Sequence, residues 1–279
     1  KIQSLHVFFS LLIPTMTAEE DQILDEALIL TYEKYGITHD NASLYDDVAA
    51  GTYKKMPVLS DLYDVLKEMP EGTKRLCLML NRFVHGSFAS LNRQTNIRES
   101  EYMVFDISDI QGEFLTALMY TVLEYVYARA KENRTKKKAI IVDEIWELIG
   151  SKSNAKAAEI VLEIFKIIRG YGGAAIAATQ DLNDFFSLED GKYGKGIINN
   201  CKTKIVLNLE RDEAQAVQKL LSLSAEEYKE ILHFERGHGL LCTGGNNIPV
   251  WFRSSALEHQ LITTDRKDLE QMYVQMGGA

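Results

Sequence analysis

The stretch Ala139–Ile149, with the sequence AIIVDEIWELI, decides how the rest of the chain is interpreted. Its first four residues are apolar and lead directly into two carboxylates, Asp143 and Glu144. An unbroken run rich in isoleucine and valine predicts a strand buried on both faces, as in a parallel sheet covered by helices. Acidic side chains at the carboxyl end of such a strand stand where α/β sheets bind ligands, although a solvated acidic turn would have the same sequence.

The two carboxylates suit a nucleotide site. In phosphoryl transfer to water, Asp143 can hold a magnesium ion while Glu144 polarises the attacking water. Gln180 closes the next predicted strand, so we expect it at the same edge of the sheet, where an amide can contact a γ-phosphate or the water. Capping of the following turn is the alternative role for Gln180.

Two arginines beside glycines are further candidates. Arg169 precedes Gly170–Gly173, and an arginine in such a flexible setting can reach a phosphate across a subunit boundary. Its alternative role is to interact with the negative end of a helix dipole. Arg236 likewise directly precedes a glycine, Gly237. Its alternative role is as part of a surface turn. Trp146 follows the carboxylates, and packing is the more common role of a tryptophan there.

The order of the predicted elements indicates an α/β protein. Residues 1–100 are predicted to form a mainly helical subdomain beside a sheet, residues 101–263 the sheet-containing core, and residues 264–279 a helical tail. Strands that alternate with helices indicate a mostly parallel sheet flanked by helices, and Gly244-Gly245 indicates a terminal antiparallel hairpin at one edge. The predicted strands before that hairpin are Tyr102–Ile107, Ala139–Val142, Ala174–Thr179 and Lys204–Leu209.

Composition limits the classes of function. The 279 residues are 46% hydrophobic and 25% charged, as in an ordinary globular protein, and the net charge of −9 does not favour broad binding to nucleic acid or membrane surfaces. The three cysteines are far apart and odd in number, with neither a metal-ligand spacing nor a disulfide framework, which favours a reducing cytosol. The six histidines show no ligand spacing either, so no metal site is proposed on them. The apolar run Leu5–Ile13 is too short to cross a membrane.

The phosphate-binding motif G-x-x-x-x-G-K-[ST] matches no segment of the chain. The glycine cluster Gly170–Gly173 lacks the Lys-Ser/Thr pair and follows a predicted helix instead of a strand. Because the chain starts at Lys1 without an initiator methionine, we expect it to be a fragment that starts inside a domain.

These residues together resemble the type IV secretion and conjugative-transfer ATPases, the VirB/TraC/TraE-type members of the HerA–FtsK group of P-loop motors. The likeness spans most of 101–252, and its most specific part is a Walker B element with a trailing tryptophan and a downstream Ala-Thr-Gln. The residues that carry the resemblance are Ile140–Trp146, Arg169, Ala178–Gln180, Ile197–Cys201 and Arg236–Gly239.

The resemblance implies a RecA-like ATPase core with a helical insertion, with ATP and Mg²⁺ as ligands. Asp143 would bind magnesium through water, Glu144 would be the general base, Gln180 would sense the γ-phosphate and Arg169 would act in trans on a neighbouring subunit. Arg236 would contact the nucleotide. The Walker A segment would fall before Lys1.

For the whole protein, the resemblance implies a cytoplasmic ATPase, peripheral at the inner face of the cell membrane through its partners. It would form a homo-oligomer, a hexamer, and contact secretion-channel and coupling-protein subunits, with DNA as a further partner. Two alternatives stay open: a scaffold for channel subunits that hydrolyses nothing, and a DNA-translocating pump of the FtsK or HerA kind.

Overall fold

The computed structural model describes residues 2–69, 72–98, 100–107, 113–150, 153 and 155–275. It divides the chain into two compact units, a first unit of Lys1–Ala178 and a second unit of Thr179–Ala279. Helices and both parallel and antiparallel strands are present, which confirms the α/β class. The sequence-based domain limits of 1–100, 101–263 and 264–279 remain a prediction.

The first unit begins with helices and ends with a parallel strand pair. The sequence Thr17-Ala18-Glu19-Glu20 predicts a capping box at the start of the second helix. The prediction is confirmed, because the Thr17 hydroxyl accepts from the Glu20 N–H and the Glu20 carboxylate accepts from the Thr17 N–H. The elements in chain order are α1 (Ile2–Leu12), α2 (Ala18–Lys34), β1 (Tyr45–Asp47), β2 (Thr52–Tyr53), α3 (Leu59–Glu68), α4 (Lys74–Val84), α5 (Glu113–Glu132), β3 (Lys138–Val142), α6 (Trp146–Ile149), α7 (Ala155–Ile167) and β4 (Gly173–Ala177).

Helices α1 to α5 share one apolar core. Helix α1 packs against α2 and α5, and α3 packs against α2 and α4. Full burial of each leucine or phenylalanine stabilises the fold by about 1.5–3 kcal/mol relative to its exposure, so this core is the main source of stability of the helical part. The largest fully buried side chains in this core are Phe9, Leu24, Leu66, Leu76, Leu80 and Phe83.

A histidine links the first two helices. The Nδ1 atom of His6 lies 2.9 Å from Asp21 Oδ1, and its Nε2 atom lies 2.8 Å from Asp25 Oδ1. Burial opposes the charged imidazolium, but the hydrogen bonds to the two aspartates outweigh it and raise the pKa of His6 above 6.5. Both contacts are therefore strongest when His6 is protonated.

Stability of the first unit is expected to depend on pH through His6. A raised folded pKa means that the stabilisation is fully present below 6.5, the unfolded value, and is lost as the pH rises through the folded pKa. Urea unfolding followed by Trp146 fluorescence should show this decline, and His6→Gln should abolish it. The exposed His39→Gln change is the control, and an equal pH dependence in His6→Gln would contradict the role of His6.

The parallel sheet of the first unit has two strands. Strand β3 pairs with β4 in register from Lys138 opposite Gly173 to Val142 opposite Ala177, with α6 and α7 between them in the chain. The expectation of burial on both faces is wrong for the described residues, since Ile141 is 68% exposed and Ile176 is 51% exposed. Alternate residues of both strands are half-buried and exposed, so one face of the pair is open.

Two further sequence predictions in the first unit are wrong. Residues 102–107 form no strand, because a strand requires a hydrogen-bonded neighbour and high β-propensity alone does not supply one. Phe105 instead makes an edge-to-face contact with Tyr125 of α5, with ring centroids 5.9 Å apart. The polar, turn-rich sequence of residues 40–57 predicts a loop, but this segment contains the short antiparallel pair β1–β2, on which Tyr45 stacks against Tyr53.

The second unit is built around a three-stranded antiparallel sheet in the order β5–β6–β7. The predicted hairpin is confirmed, and Gly244 and Gly245 take positive φ angles of 60° and 82° in its turn. The hairpin pairs with β5 and does not extend the parallel strands, so a parallel fourth strand at 204–209 is wrong. The elements are α8 (Leu182–Phe185), α9 (Lys192–Asn200), β5 (Thr203–Val206), α10 (Arg211–Leu221), α11 (Ala225–His233), β6 (His238–Thr243), β7 (Asn246–Trp251), α12 (Ala256–Ile262) and α13 (Arg266–Gln275).

A small core holds α10 and α11 to this sheet. Ala214, Ile231 and Leu240 are completely buried in it. Throughout the described part of the chain, none of the helices has both the length and the hydropathy needed to cross a bilayer.

Candidate functional site

The turn after β3 has an unusual backbone. Glu144 has a φ angle of +47°, in the left-handed region that glycine favours and that costs another residue about 1–2 kcal/mol. Strained residues of this kind persist only where their surroundings hold them, and they cluster at functional sites. The strain therefore singles out Glu144 among the carboxylate residues that the structure describes in the first unit.

Backbone hydrogen bonds hold this turn to the end of β4. The Ala178 N–H donates to the Val142 carbonyl at 3.0 Å, and the Ile145 N–H donates to the Ala178 carbonyl at 3.0 Å. The Ile145 side chain is completely buried, so the residue after Glu144 is fixed by packing as well as by hydrogen bonding. These contacts on either side of Asp143 and Glu144 over-determine the conformation of the turn.

Trp146 orients the Glu144 side chain. Its indole Nε1–H donates to Glu144 Oε2 at 2.8 Å, while both side chains are half-buried. Sequence reasoning assigned Trp146 a packing role and missed this contact. A tryptophan two residues after a carboxylate was the available signal, but residues two apart in a helix do not face each other. The left-handed backbone at Glu144 makes this segment non-helical and allows the contact.

Asp143 is exposed at the carboxyl end of β3, with its Oδ1 atom accepting from the Glu144 N–H at 3.1 Å. An exposed carboxylate fits Mg²⁺, which takes oxygen ligands and is commonly held by one or two carboxylates, substrate phosphates and water. The described residues contain no cluster of three or more His, Cys, Asp or Glu side chains that could hold a metal by themselves. Asp143 therefore fits a magnesium ion shared with a phosphate ligand, not a protein-only metal site.

Gln180 falls in the second unit, two residues after the carbonyl of Ala178 that binds the Glu144 turn. Its side chain is exposed. The neighbouring Thr179 hydroxyl donates to the Asp181 carbonyl at 3.2 Å, and Asp181 caps α8 by accepting from the Asp184 N–H. Capping of the helix, the alternative considered for Gln180, is thus performed by Asp181.

Arg169 lies at the opposite edge of the parallel pair from Asp143. It belongs to the 3₁₀ turn Ile168–Tyr171, which directly precedes β4, and its side chain is exposed. Because β3 and β4 are parallel and in register, Arg169 marks their amino edge and Asp143 their carboxyl edge. Five residues at about 3.3 Å each separate the two edges by roughly 15 Å. This separation rules out direct contact between Arg169 and Asp143 of the same chain.

Arg236 lies in the turn before β6 of the second unit and is exposed. Hydrogen bonds from Thr263 and His259, together with the charge of Arg236, lower the pKa of Asp268 in α13. Beyond Gly237, the imidazole of His238 stacks on the Trp251 indole with an angle of 3° between the rings. Arg236 thus lies next to the His238–Trp251 stack in sequence and close enough to Asp268 to influence its charge.

Comparisons with known proteins agree on the family. Residues 62–241 match the TraG P-loop domain. Protein TraC of Escherichia coli (strain K12) is 21% identical over 194 residues, which cover 67% of this chain and 22% of TraC. The structure of VirB4 of Thermoanaerobacter pseudethanolicus is similar with a TM-score of 0.76 and 26% sequence identity, over 92% of this chain and 70% of the VirB4 chain.

The family match spans more than half of the chain, and the relatives in sequence and in structure agree with it. The resemblance first drawn from the Asp143–Glu144 element is confirmed at the level of the family. The chain itself spans only 22% of TraC, so it corresponds to a limited part of that relative. The chain belongs to the TraG P-loop domain family, in the P-loop group of type IV secretion and conjugation ATPases.

Proposed function

We propose that this chain is part of a motor ATPase that hydrolyses ATP to power channel assembly or substrate transfer in type IV secretion or conjugation. The observation that carries the proposal is the carboxylate pair at the end of β3, with Glu144 strained and hydrogen-bonded to Trp146. A preorganised carboxylate at the carboxyl edge of a parallel strand pair is suited to activate water beside a bound nucleotide. The family membership of the chain supports the same activity.

Glu144 is proposed to be the general base. Its Oε2 atom accepts from Trp146, and within the described part of the chain Oε1 has no hydrogen-bond partner. Oε1 can therefore take a proton from the attacking water as the new bond to the γ-phosphorus forms and the bond to the β-phosphate oxygen breaks. Trp146 acts as a positioning residue, since its indole fixes the carboxylate without touching the reacting atoms.

Asp143 is proposed to hold Mg²⁺ through water, in keeping with its exposed carboxylate. When bound, magnesium would supply positive charge to the phosphate oxygens. Gln180 is proposed to sense the γ-phosphate, and Arg236 to contact the nucleotide. The P-loop motif is absent from residues 1–279, and the backbone cradle for the phosphates is proposed to come from a Walker A segment outside this sequence.

Arg169 is proposed to act on the nucleotide of a neighbouring subunit. The roughly 15 Å between the two edges of the β3–β4 pair supports action in trans. Such an arrangement needs a neighbouring copy of the chain, and we propose a homo-hexamer. Channel and coupling-protein subunits are the proposed partners, with the protein peripheral at the cytoplasmic face of the membrane.

The role of Asp143 can be tested through the magnesium dependence of hydrolysis. In a form of the protein that includes a Walker A segment, Asp143→Asn is expected to raise the Mg²⁺ concentration for half-maximal phosphate release by about 10- to 100-fold. The matched control is Asp64→Asn, since Asp64 is exposed on α3. An unchanged magnesium requirement in Asp143→Asn would refute the assignment.

The same assay separates the alternative functions. A scaffold for channel subunits is favoured by the absence of a P-loop motif from this sequence. It predicts no phosphate release from the wild-type protein even with a Walker A segment present. A DNA-translocating pump predicts hydrolysis that duplex DNA stimulates, which the proposed secretion motor does not require.

A further inference from the structure

The open end of the β6–β7 hairpin exposes an aromatic ring together with two cations. Trp251, the last residue of β7, is 59% exposed. Arg236 and Arg253 are exposed on the segments that enter and leave the hairpin. We call Trp251, Arg236 and Arg253 the indole platform. A flat ring beside two guanidinium groups suits a ligand that is both aromatic and anionic.

The hairpin holds the indole in a fixed orientation. The imidazole of His238 is opposite Trp251 in the β6–β7 register and stacks on it, with ring centroids 5.5 Å apart and 3° between the planes. The end of the hairpin is closed by the Phe252 N–H, which donates to the Gly237 carbonyl at 2.7 Å. Because the ring is already held in place, it loses little conformational freedom when a ligand stacks on it.

Glycine keeps one side of the indole uncovered. A Cβ atom on Gly237 would lie 3.5 Å from the Cδ1 and Nε1 atoms of Trp251, so any side chain at this position would contact the ring. The Gly237 φ angle of +86° also favours glycine over any residue with a Cβ atom. The uncovered side of the ring is therefore built into the backbone of the hairpin.

A planar group already lies over the indole. The guanidinium carbon of Arg253 is 4.5 Å from the centre of the Trp251 ring, within the range of a cation–π contact. The long side chain of Arg253 is exposed, so it can leave the ring and contact a phosphate group while another flat group takes its place.

Apolar side chains extend the surface beside the ring. A Cβ atom on Gly239 would lie 3.0 Å from Leu207 Cδ2 and 3.3 Å from Phe252 Cε2, so both side chains border the open end of the hairpin. Leu207 is 54% exposed and Phe252 is 44% exposed. A ligand with an apolar face gains from covering them.

We infer that the indole platform binds the purine base of the nucleotide and makes the protein selective for purines. The base stacks on Trp251, and the two arginines contact phosphate oxygens, since guanidinium groups match phosphate geometry. A two-ring purine covers more of the indole than a one-ring pyrimidine does. This inference rests on the proposed function, in which Arg236 contacts the nucleotide, and adds the residue that recognises the base.

Two related ligands fit the platform less well. Inorganic tripolyphosphate would meet the arginines but would make no use of the ring. A nucleic-acid strand would need a longer row of cations, whereas the carboxylate of Glu235 is next to Arg236 in sequence and that of Asp268 is close enough to feel its charge. Both therefore serve as contrasting ligands in the test.

Nucleotide binding by variants at position 251 provides the test, in a form of the protein that includes a Walker A segment. Trp251→Ala is expected to weaken ATP binding about tenfold and to leave tripolyphosphate binding within about twofold, because it removes the stack and no phosphate contact. Trp251→Phe keeps a ring and is expected to retain most of the affinity. Wild-type protein is expected to bind ATP about fivefold more tightly than UTP, and Trp251→Ala is expected to lose that preference.

Fluorescence reports the stack directly. In a Trp146→Phe background, Trp251 is the one remaining tryptophan of the 279 residues. ATP is expected to quench its emission, whereas tripolyphosphate is not. The matched control is Tyr273→Ala, since Tyr273 is a 70% exposed aromatic residue of the second unit, and it is expected to bind ATP within about twofold of the wild type.

Equal ATP affinities of Trp251→Ala and the wild type would overturn the inference and leave the proposed ATPase intact. Failure of the wild type to bind ATP at all would overturn both. A Trp251→Ala protein that loses affinity for oligothymidylate, with its ATP affinity unchanged, would assign the ring to nucleic acid and would also overturn the inference.

Discussion

A Glu144→Gln protein is expected to bind ATP and to hydrolyse it about 10²- to 10⁴-fold more slowly than the wild type. Glutamine keeps the size of the side chain and can still accept the hydrogen bond from Trp146, which in the wild type spans 2.8 Å. It cannot take a proton from water at neutral pH, so the chemical step alone should suffer. Phosphate release, measured beside nucleotide binding in a form of the protein that includes a Walker A segment, separates the two effects.

Glu147→Gln is the matched control for this experiment. Glu147 is exposed on the first turn of α6, three residues after Glu144, and its N–H donates to the Glu144 carbonyl. The control removes the same charge from the same surface and is expected to keep near-wild-type turnover. Equal rates for Glu144→Gln and the wild type would exclude Glu144 as the base. Loss of nucleotide binding in Glu144→Gln would show that the carboxylate serves binding.

Gly172→Ala is expected to destabilise the first unit by about 2–4 kcal/mol. Gly172 has a φ angle of +73°, which strains any residue with a Cβ atom. The new methyl group would also meet the Arg134 carbonyl oxygen at 2.6 Å, and a backbone atom cannot rotate away. The turn before β4 and the loop before β3 would have to separate, which disturbs the start of both parallel strands.

Substitutions at two other glycines separate the cost of a positive φ angle from the cost of a steric clash. Gly51→Ala meets no atom within 4 Å but has a φ angle of +67°, so it should cost about 1–2 kcal/mol. Gly170→Ala meets no atom within 4 Å and has no positive φ, so it should change stability by about 0.5 kcal/mol or less. A Gly172→Ala effect no larger than that of Gly51→Ala would contradict the close contact with Arg134.

Tryptophan fluorescence can report the first unit alone. The chain has two tryptophans, Trp146 in the first unit and Trp251 in the second. In a Trp251→Phe background, urea unfolding followed at Trp146 gives the free energy of unfolding around the β3–β4 pair. The same background serves the His6 experiment.

Local sequence signals predicted the regular elements well. The capping boxes at Thr17 and Ser224 involve contacts only three residues apart, so they can be identified from spacing alone. The Gly244-Gly245 turn likewise depends on the two residues that adopt positive φ angles. These signals need no knowledge of the rest of the fold.

Pairing between distant segments was harder to predict. Tyr102–Ile107 and Ala139–Val142 have similar β-propensity, yet only the second forms a strand, because only it finds a hydrogen-bonded neighbour in β4. The apolar side chain of Ile141 suggested burial on both faces, but burial depends on what covers a strand and not on its own composition. For the same reason, the sequence predicted a parallel strand at 204–209, whereas β5 pairs antiparallel with β6.

The candidate site was predictable in its residues and not in its geometry. Asp143 and Glu144 were identified from an apolar run that ends in carboxylates. The left-handed backbone of Glu144 left no trace in the sequence, since glutamate is not typical of that conformation. The position of Arg169 at the amino edge follows from the parallel register of β3 and β4, which requires the pairing to be known.

The backbone of Glu144 has a consequence for engineering this protein. Glycine adopts a φ angle of +47° without a steric penalty, so it would relieve the strain at this position. Selection of variants for heat resistance alone would therefore tend to favour glycine at position 144, which lacks the carboxylate. Screens for more thermostable variants of this protein should measure turnover together with melting temperature, because the most stable sequence at this turn is expected to be inactive.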